Sequence, residues 1–264
     1  MPFPESSRVL YQHNPLAEVI CQVQFPTILR IATELPSEFQ QQIREFYPVF
    51  RQELGIPAMP PNVSQLLANL PINLQSGPVY FFDSESGSRT VVLTREALSI
   101  TERKYTQWED LRTEIEMLRG ALQKIYAPSF YTRIGLRYQD VFNLAELDLQ
   151  GSKWNQLLHP AIAGLLGAED EIQGAVTGIG GAAEIAIAEV ADAAVRVQYG
   201  LTQTPLNEAV SFALDADFYT NQRSPYERVT DILDIFNHLA GNLFRWAITE
   251  RLRDALRPTP LAQQ

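Results

Sequence analysis

Apolar residues recur at three- and four-residue steps in two long stretches of the chain, a spacing that predicts amphipathic helices. The first stretch covers residues 108–125 and follows a capping-box pattern over residues 106–109. Pro128 comes shortly after its last apolar position and ends the element. We expect one amphipathic helix here, with its apolar stripe against the core.

The second stretch lies at the C-terminal end of the chain. Ser224 and Glu227 have the spacing of another capping box, and the apolar face continues until Pro258. The pattern predicts a single long helix over residues 225–257. At about 1.5 Å per residue this helix would be roughly 48 Å long, so we expect it to lie across a broad sheet.

Two earlier apolar stripes share a different pattern, because each contains a proline seven residues before a glycine. One covers residues 39–54 and ends at Gly55, and the other covers residues 154–165 and ends at Gly167. Both patterns predict a kinked helix with a glycine stop.

Strand patterns separated by turns fill the remaining chain, and each half opens with one, over residues 17–25 and 131–140. Shorter hairpin strands are predicted over 66–74, 79–82, 90–94, 98–101, 172–177, 183–188, 194–199 and 209–213. Consecutive hairpins favour antiparallel pairing, so the predicted class is α+β, with the helices packed on one face of a curved antiparallel sheet.

The order strand, kinked helix, hairpin strands and capped helix occurs twice. We interpret it as two tandem repeats, residues 1–128 and 129–264, although residue identities are not repeated and chance similarity is the alternative. This twofold order resembles the saddle fold of TATA-binding proteins and, more loosely, the helix-grip folds. The resemblance implies a topology and no function.

Three segments, 14–19, 133–138 and 238–249, look like those of a sporadically distributed family of uncharacterised bacterial proteins. The likeness spans most of the chain. It implies a bacterial, cytoplasmic protein and, through the family's patchy distribution, a defence-linked gene setting. It implies no mechanism.

Composition limits the possible partners. Acidic residues outnumber basic ones by 31 to 21, and the net charge of −10 argues against general binding to DNA, RNA or anionic lipid. With one cysteine and three histidines, the chain has few ligands for zinc. The N-terminus has no signal-peptide pattern, and no apolar run reaches about 18 residues. We expect a cytoplasmic protein without membrane contact, cofactor or metal.

Arg133 and Arg137 are the strongest candidates for ligand contact. They flank Gly135 at alternate positions of a predicted strand, so both point to one face. Two guanidinium groups there could bind a carboxylate or a phosphate. The alternative is that they pair with acids on neighbouring strands, such as Glu18.

No other group of residues predicts catalysis. His238 has no second ligand at helical spacing, so we expect it to make polar contacts with neighbouring asparagines. Asp140, Asp215 and Asp217 could gather at strand ends around a divalent cation, but solvated acids are commoner there. The glycine-rich segment 178–181 lacks the spacing of a phosphate-binding loop and is interpreted as a turn.

These observations predict a non-catalytic binding protein whose partner is another protein, of basic character. An acidic immunity protein or antitoxin is the type that we expect. The alternative is a sensor or enzyme for a small ligand, a nucleotide or a carboxylate, with a pocket between the sheet and the long helix near Arg133 and Arg137.

Overall fold

A sheet of nine antiparallel strands is the centre of the computed structural model, which describes residues 2–54, 77–168, 171–172, 176–204 and 207–260. Two further short strands, β1 and β11, pair with each other outside this sheet. In chain order the strands are β1 (Val9–Tyr11), β2 (Leu16–Gln24), β3 (Val49–Leu54), β4 (Pro78–Asp83), β5 (Arg89–Leu93), β6 (Ala97–Glu102), β7 (Arg133–Phe142), β8 (Gly180–Ile187), β9 (Ala193–Thr204), β10 (Asn207–Thr220) and β11 (Pro258–Pro260).

The strand order is β3-β4-β5-β6-β2-β7-β10-β9-β8, and every neighbouring pair is antiparallel. The opening strands of the two halves, β2 and β7, pair at the centre, with the strands of each half on their own side. The α+β class and the large antiparallel sheet are therefore confirmed. The tandem-repeat interpretation and its boundary at residues 128 and 129 stay predictions.

Six α-helices lie within the described residues, together with three short 3-10 turns over Trp154–Gln156, Gly164–Ala168 and Tyr226–Arg228. The helices are α1 (Leu29–Thr33), α2 (Ser37–Ile43), α3 (Trp108–Tyr126), α4 (Pro160–Ala163), α5 (Val229–Ala247) and α6 (Glu250–Ala255).

Helix α3 is the amphipathic helix that the sequence predicts. Its buried residues include Trp108, Leu111 and Ile115, and it ends where Ala127 takes a left-handed φ of 44°. The expected capping box is absent from its start, because the Thr106 hydroxyl donates to Asp110 Oδ2.

The prediction of one C-terminal helix over 225–257 is wrong. Ile248 is extended, with φ −112° and ψ 149°, and forms a bridge with Leu158. Thr249 then accepts a bond from the Leu252 amide and caps α6. The apolar periodicity continues through this break because Ile248 and Leu252 are both buried. Ser224 does not cap α5, because its hydroxyl donates to the Gln222 carbonyl.

The two kinked helices are also wrong. Helix α2 ends at Ile43, and residues 49–54 form the edge strand β3, where Phe50 packs on Phe82 with ring centroids 5.4 Å apart. Pro48 prevents the helix from continuing, and the backbone amide and carbonyl groups that follow it form their hydrogen bonds with β4 instead. The segment 154–165 holds only short turns and the four-residue α4.

Most predicted hairpin strands are present. The strand predicted over 66–74 lies outside the described residues. Residues 172, 176 and 177 are described and are not in a strand. The glycine-rich turn is shorter than predicted, because Gly180 and Gly181 already belong to β8.

The helices pack on one face of the sheet, which we call the helix-covered face. Phe236 of α5 contacts Phe218 of β10 at a centroid distance of 6.2 Å, and Phe39 of α2 contacts Phe82 of β4 at 5.5 Å. Residues of β7 alternate, so Ile134 and its same-side neighbours join this core while Arg133 points to the opposite face.

Candidate functional site

The opposite face of the sheet carries the predicted arginines. Arg133 Nη2 donates to Asp217 Oδ2 at 2.9 Å, and Arg137 makes a two-pronged pair with Asp215, whose Oδ1 lies 2.7 Å from Nε. Both acids belong to β10, the neighbour of β7. The alternative considered for these arginines, that they pair with acids on a neighbouring strand, is therefore present, and the acids belong to β10.

Burial and charge act against each other in these pairs. Burial lowers the pKa of Arg133 more than Asp217 raises it, and burial likewise raises the pKa of Asp217. For Arg137, burial alone would lower the pKa, but the hydrogen bond and charge of Asp215 outweigh it and raise the pKa. The arginine charges are already neutralised by the protein.

Glu18 of β2 is the third predicted ligand-facing residue, and it lies on the same face of the sheet as Arg133 and Arg137. Its Oε1 accepts from Arg103 Nε at 3.0 Å. Burial raises its pKa, and the charge of Arg103 opposes that shift. The sheet therefore brings Glu18, Arg133 and Arg137 to one face. Their role in ligand binding stays a prediction.

The three aspartates considered as metal ligands are divided between the two faces. Asp215 and Asp217 lie in the middle of β10, whereas Asp140 follows the alternation of Leu136 and Tyr138 onto the helix-covered face. The sheet thus separates Asp140 from the other two. Within the described ranges, no three His, Cys, Asp or Glu side chains gather as a metal site would require.

A cavity of about 300 Å³ lies on the helix-covered face, between α5 and the centre of the sheet. The N-terminal segment and the loop before α3 form its other walls. Neither Arg133 nor Arg137 lines it. Its walls include Ser6, Arg8, Leu10, Tyr11, Leu16, Tyr105, Tyr138, Asp140, Ala216, Asn237, His238, Ala240, Asn242, Phe244 and Arg245.

Asp140 is the most unusual group in this cavity. The residue is 5 % exposed, and Oδ1 has no hydrogen-bond partner among the described residues. Its partners across the strands are Leu16 and Leu214, which offer no polar side-chain atom. Burial, reinforced by the charge of Asp215, raises the pKa of Asp140 well above its ordinary value.

Tyrosine and asparagine side chains form the polar wall beside Asp140. The Tyr138 hydroxyl donates to Asn237 Oδ1 of α5 at 2.9 Å, which ties the helix to the centre of the sheet. The ring of Tyr105 meets that of Tyr138 edge-on, with centroids 6.1 Å apart. Burial raises the pKa of Tyr105 to about 12, so its hydroxyl stays neutral.

The N-terminal segment is fastened over the cavity by polar contacts to α5. The amide and the hydroxyl of Ser6 both donate to Asn242 Oδ1 at 2.9 Å, and Glu5 Oε1 lies 2.9 Å from His238 Nε2. Asn242 Nδ2 is also 3.4 Å from His238 Nε2. Of the two asparagines expected beside His238, Asn242 makes the contact, whereas Asn237 accepts a hydrogen bond from Tyr138.

Sequence reasoning considered Asp140 only as a metal ligand and did not single out Tyr138. One signal was available, because Asp140 stands at an apolar position of an alternating strand, between Tyr138 and Phe142. A charged residue at such a position is rarely buried without a reason.

No family model matches the chain, and no curated protein matches it either. Among the described residues, no helix has the length and apolar character needed to span a membrane.

Proposed function

We propose that the protein binds a small organic molecule in the cavity between α5 and the centre of the sheet. The supporting observation is Asp140, an acidic residue that lines this space and whose buried Oδ1 has no hydrogen-bond partner in the described residues. Buried polar atoms are nearly always paired, and an unpaired one costs about 1–3 kcal/mol. A bound molecule would supply the missing partner.

The size and walls of the cavity agree with this function. Its volume of about 300 Å³ is at the lower end of the range for ligand pockets. Apolar side chains such as Leu10, Leu16 and Phe244 form much of the lining, and a few polar groups converge on it. Such a mixture can exclude water from a ligand and orient it.

The test is a thermal-shift screen of small fragments against the wild type and two variants with a filled cavity. Ala240→Phe and Ala216→Val place additional carbon atoms in the cavity, from α5 and β10 respectively. Ala182→Phe, at an exposed position of β8, is the matched control. The second, smaller substitution keeps the test valid if Ala240→Phe does not fold.

Fragments that stabilise the wild type and Ala182→Phe but not a folded filled variant would support the proposal. If no fragment stabilises the wild type, or if all hits stabilise the filled variants equally, the cavity is not a ligand site.

The immunity- or antitoxin-like role predicted from the charge is a second candidate. The observation that favours it is the charge of the second half, where residues 131–264 carry 17 acidic and 10 basic side chains. Co-purification of the untagged protein from its native cells tests it. Recovery without a stoichiometric basic partner would remove this candidate.

The tandem-repeat architecture and the cellular location of the protein are also proposals. From the central β2–β7 pair outward, the remaining strands of each half follow in reverse chain order, four beside β2 and three beside β7, and this order supports two tandem repeats and a likeness to the saddle fold. The cytoplasmic, defence-linked setting depends on the family resemblance alone.

A further inference from the structure

The charges around the cavity leave one acid without a counterion. Two arginines and His238 line it, and each has an acidic partner elsewhere: Arg8 with Glu109, Arg245 with Glu250, and His238 with Glu5. Asp140 is the acid of this lining, and its Oδ1 has no partner in the described part of the chain. The unmet requirement of the site is a hydrogen-bond donor, ideally one that carries a positive charge.

We infer that the cavity takes an organic cation, a small amine whose ammonium group pairs with Asp140 while its hydrocarbon part lies against Tyr11, Tyr138 and Phe244. This inference rests on the proposed ligand-binding function and specifies the chemistry of the ligand.

An anion fits this site poorly. It would meet Asp140 beside guanidinium groups that Glu109 and Glu250 already neutralise. The arginines that suggested a nucleotide or a carboxylate lie on the opposite face of the sheet and are paired with Asp215 and Asp217. Charge therefore disfavours those ligand classes in this cavity.

A cation fits for two reasons. An ammonium group at the Asp140 carboxyl group would donate hydrogen bonds and would favour the ionised carboxylate, reversing the effect of burial on the pKa of Asp140. The faces of aromatic rings attract cations as well, and tyrosines of β1 and β7 and the loop before α3 line this space. Both effects are strongest where water is excluded.

The cavity volume indicates a small amine. About 300 Å³ corresponds to roughly ten groups the size of a water molecule in the liquid. A nucleotide has more than twice that number of non-hydrogen atoms. An alkylamine or an arylalkylamine fills the space without displacing α5.

The experiment measures the affinity of amines and of their neutral isosteres by titration calorimetry. The pairs are butylamine with butanol, cyclohexylamine with cyclohexanol, and phenethylamine with phenylethanol, and phenylacetate serves as the anionic probe. The proteins are the wild type, Asp140→Asn, which keeps the shape of the side chain, and Asp148→Asn. The last is a matched control, because Asp148 is exposed and its φ of 55° is tolerated by asparagine.

We expect at least one amine to bind the wild type and Asp148→Asn about tenfold more tightly than its alcohol, as a charge-assisted hydrogen bond predicts. Asp140→Asn should lose that preference while it still binds the alcohol within about twofold of the wild type.

The inference is overturned if no amine is preferred over its alcohol, if phenylacetate binds more tightly than the amines, or if the preference survives in Asp140→Asn. If fragments still bind the wild type and fail to bind the filled variants, the proposed ligand-binding function stands and only the preference for an amine is wrong. If no fragment binds there, the proposed function itself is wrong.

Discussion

Arg133 lies over Gly135, so closely that a methyl group on Gly135 would overlap with Nη1 of the arginine. By crossing Gly135, the side chain of Arg133 brings its guanidinium to Asp217. In the pairing of β7 with β10, Asp217 stands opposite Arg137 and not opposite Arg133. The glycine therefore permits a diagonal ion pair on the opposite face of the sheet. Its role is local packing, not flexibility.

Replacing Gly135 by alanine should displace Arg133 from Asp217. Because Arg133 is buried, we expect the free energy of unfolding to fall by about 1–3 kcal/mol, the range for a buried polar group that loses its partner. Urea denaturation measures the change. Gly120→Ala is the control, since a Cβ at this position of α3 meets nothing within 4 Å and should stabilise the helix by about 0.5–1 kcal/mol. Equal effects at the two glycines would contradict the overlap.

Asp217→Ala should be more damaging than the loss of an exposed acid on the same face. The side chains of Arg133 and Asp217 are 6 % and 13 % exposed, so the variant leaves a buried guanidinium without its counterion. Breaking such a pair costs about 3–5 kcal/mol. Glu184→Ala removes the partner of Arg196 in an exposed pair and should change stability little. Chemical denaturation of both variants makes the comparison, and a small effect of Asp217→Ala would show that Arg133 finds another partner.

Tyr47 connects α3 to the chain before β3 through a buried hydrogen bond. Its hydroxyl donates to Glu114, whose Oε2 also lies 3.0 Å from Arg89 Nη1. Tyr47→Phe should lower the free energy of unfolding by about 1–3 kcal/mol, because a buried carboxylate oxygen loses its donor. Tyr80→Phe loses only a 3.2 Å bond to the Glu34 carbonyl and should have the smaller effect. Thermal unfolding ranks the two variants, and the reverse order would contradict this account.

The elements that could be predicted from sequence are those determined by their own residues. Helix α3 and the hairpin strands β4, β5 and β6 carry their turn and periodicity signals within a few residues. The break at Ile248 could not be predicted in this way. The amide of Thr249 donates to the Leu157 carbonyl, and the amide of His159 donates to the Ala247 carbonyl, so the partners are about 90 residues apart in the chain.

The candidate site likewise has features that local sequence could predict and features that depend on distant contacts. Alternation along β7 correctly places Arg133 and Arg137 on one face, and it equally implies that they point away from the apolar side that a helix covers. A pocket between sheet and helix therefore could not include them. Asp140 could have been identified as a polar residue at a core position. The cavity beside it depends on where α5 and the N-terminal segment pack, which no local pattern specifies.

Cys21 should be unreactive in the folded protein. The residue is 3 % exposed, and burial raises the pKa of the thiol to about 12, so almost no thiolate is present at neutral pH. We expect a chromogenic disulfide reagent to modify it only in denaturant, where the single cysteine gives one reactive thiol per chain. Rapid stoichiometric labelling under native conditions would contradict the placement of Cys21 in the core.

The buried carboxyl of Asp140 should make stability depend on pH in a direction opposite to that of a salt-bridged acid. Its pKa in the folded protein lies well above the ordinary value of 3.8, because burial and the charge of Asp215 on β10 both disfavour ionisation. The folded state therefore binds more protons than the unfolded state. The stabilisation due to the neutral carboxyl is complete below the unfolded pKa and is lost as pH rises through the folded pKa.

Asp140→Asn removes this titration, so its unfolding free energy relative to the wild type should rise with pH above about 4, with a slope of up to about 1.4 kcal/mol per pH unit. Urea denaturation between acid and neutral pH measures the difference. Taking that difference cancels the contributions of Glu18, Glu114 and Asp217, whose pKa values burial also raises. Asp148→Asn, at an exposed site, is the control for the exchange of an aspartate for an asparagine. A difference for Asp140→Asn that does not change with pH would mean that the carboxyl is ionised in the folded protein, with a counterion or water at Oδ1.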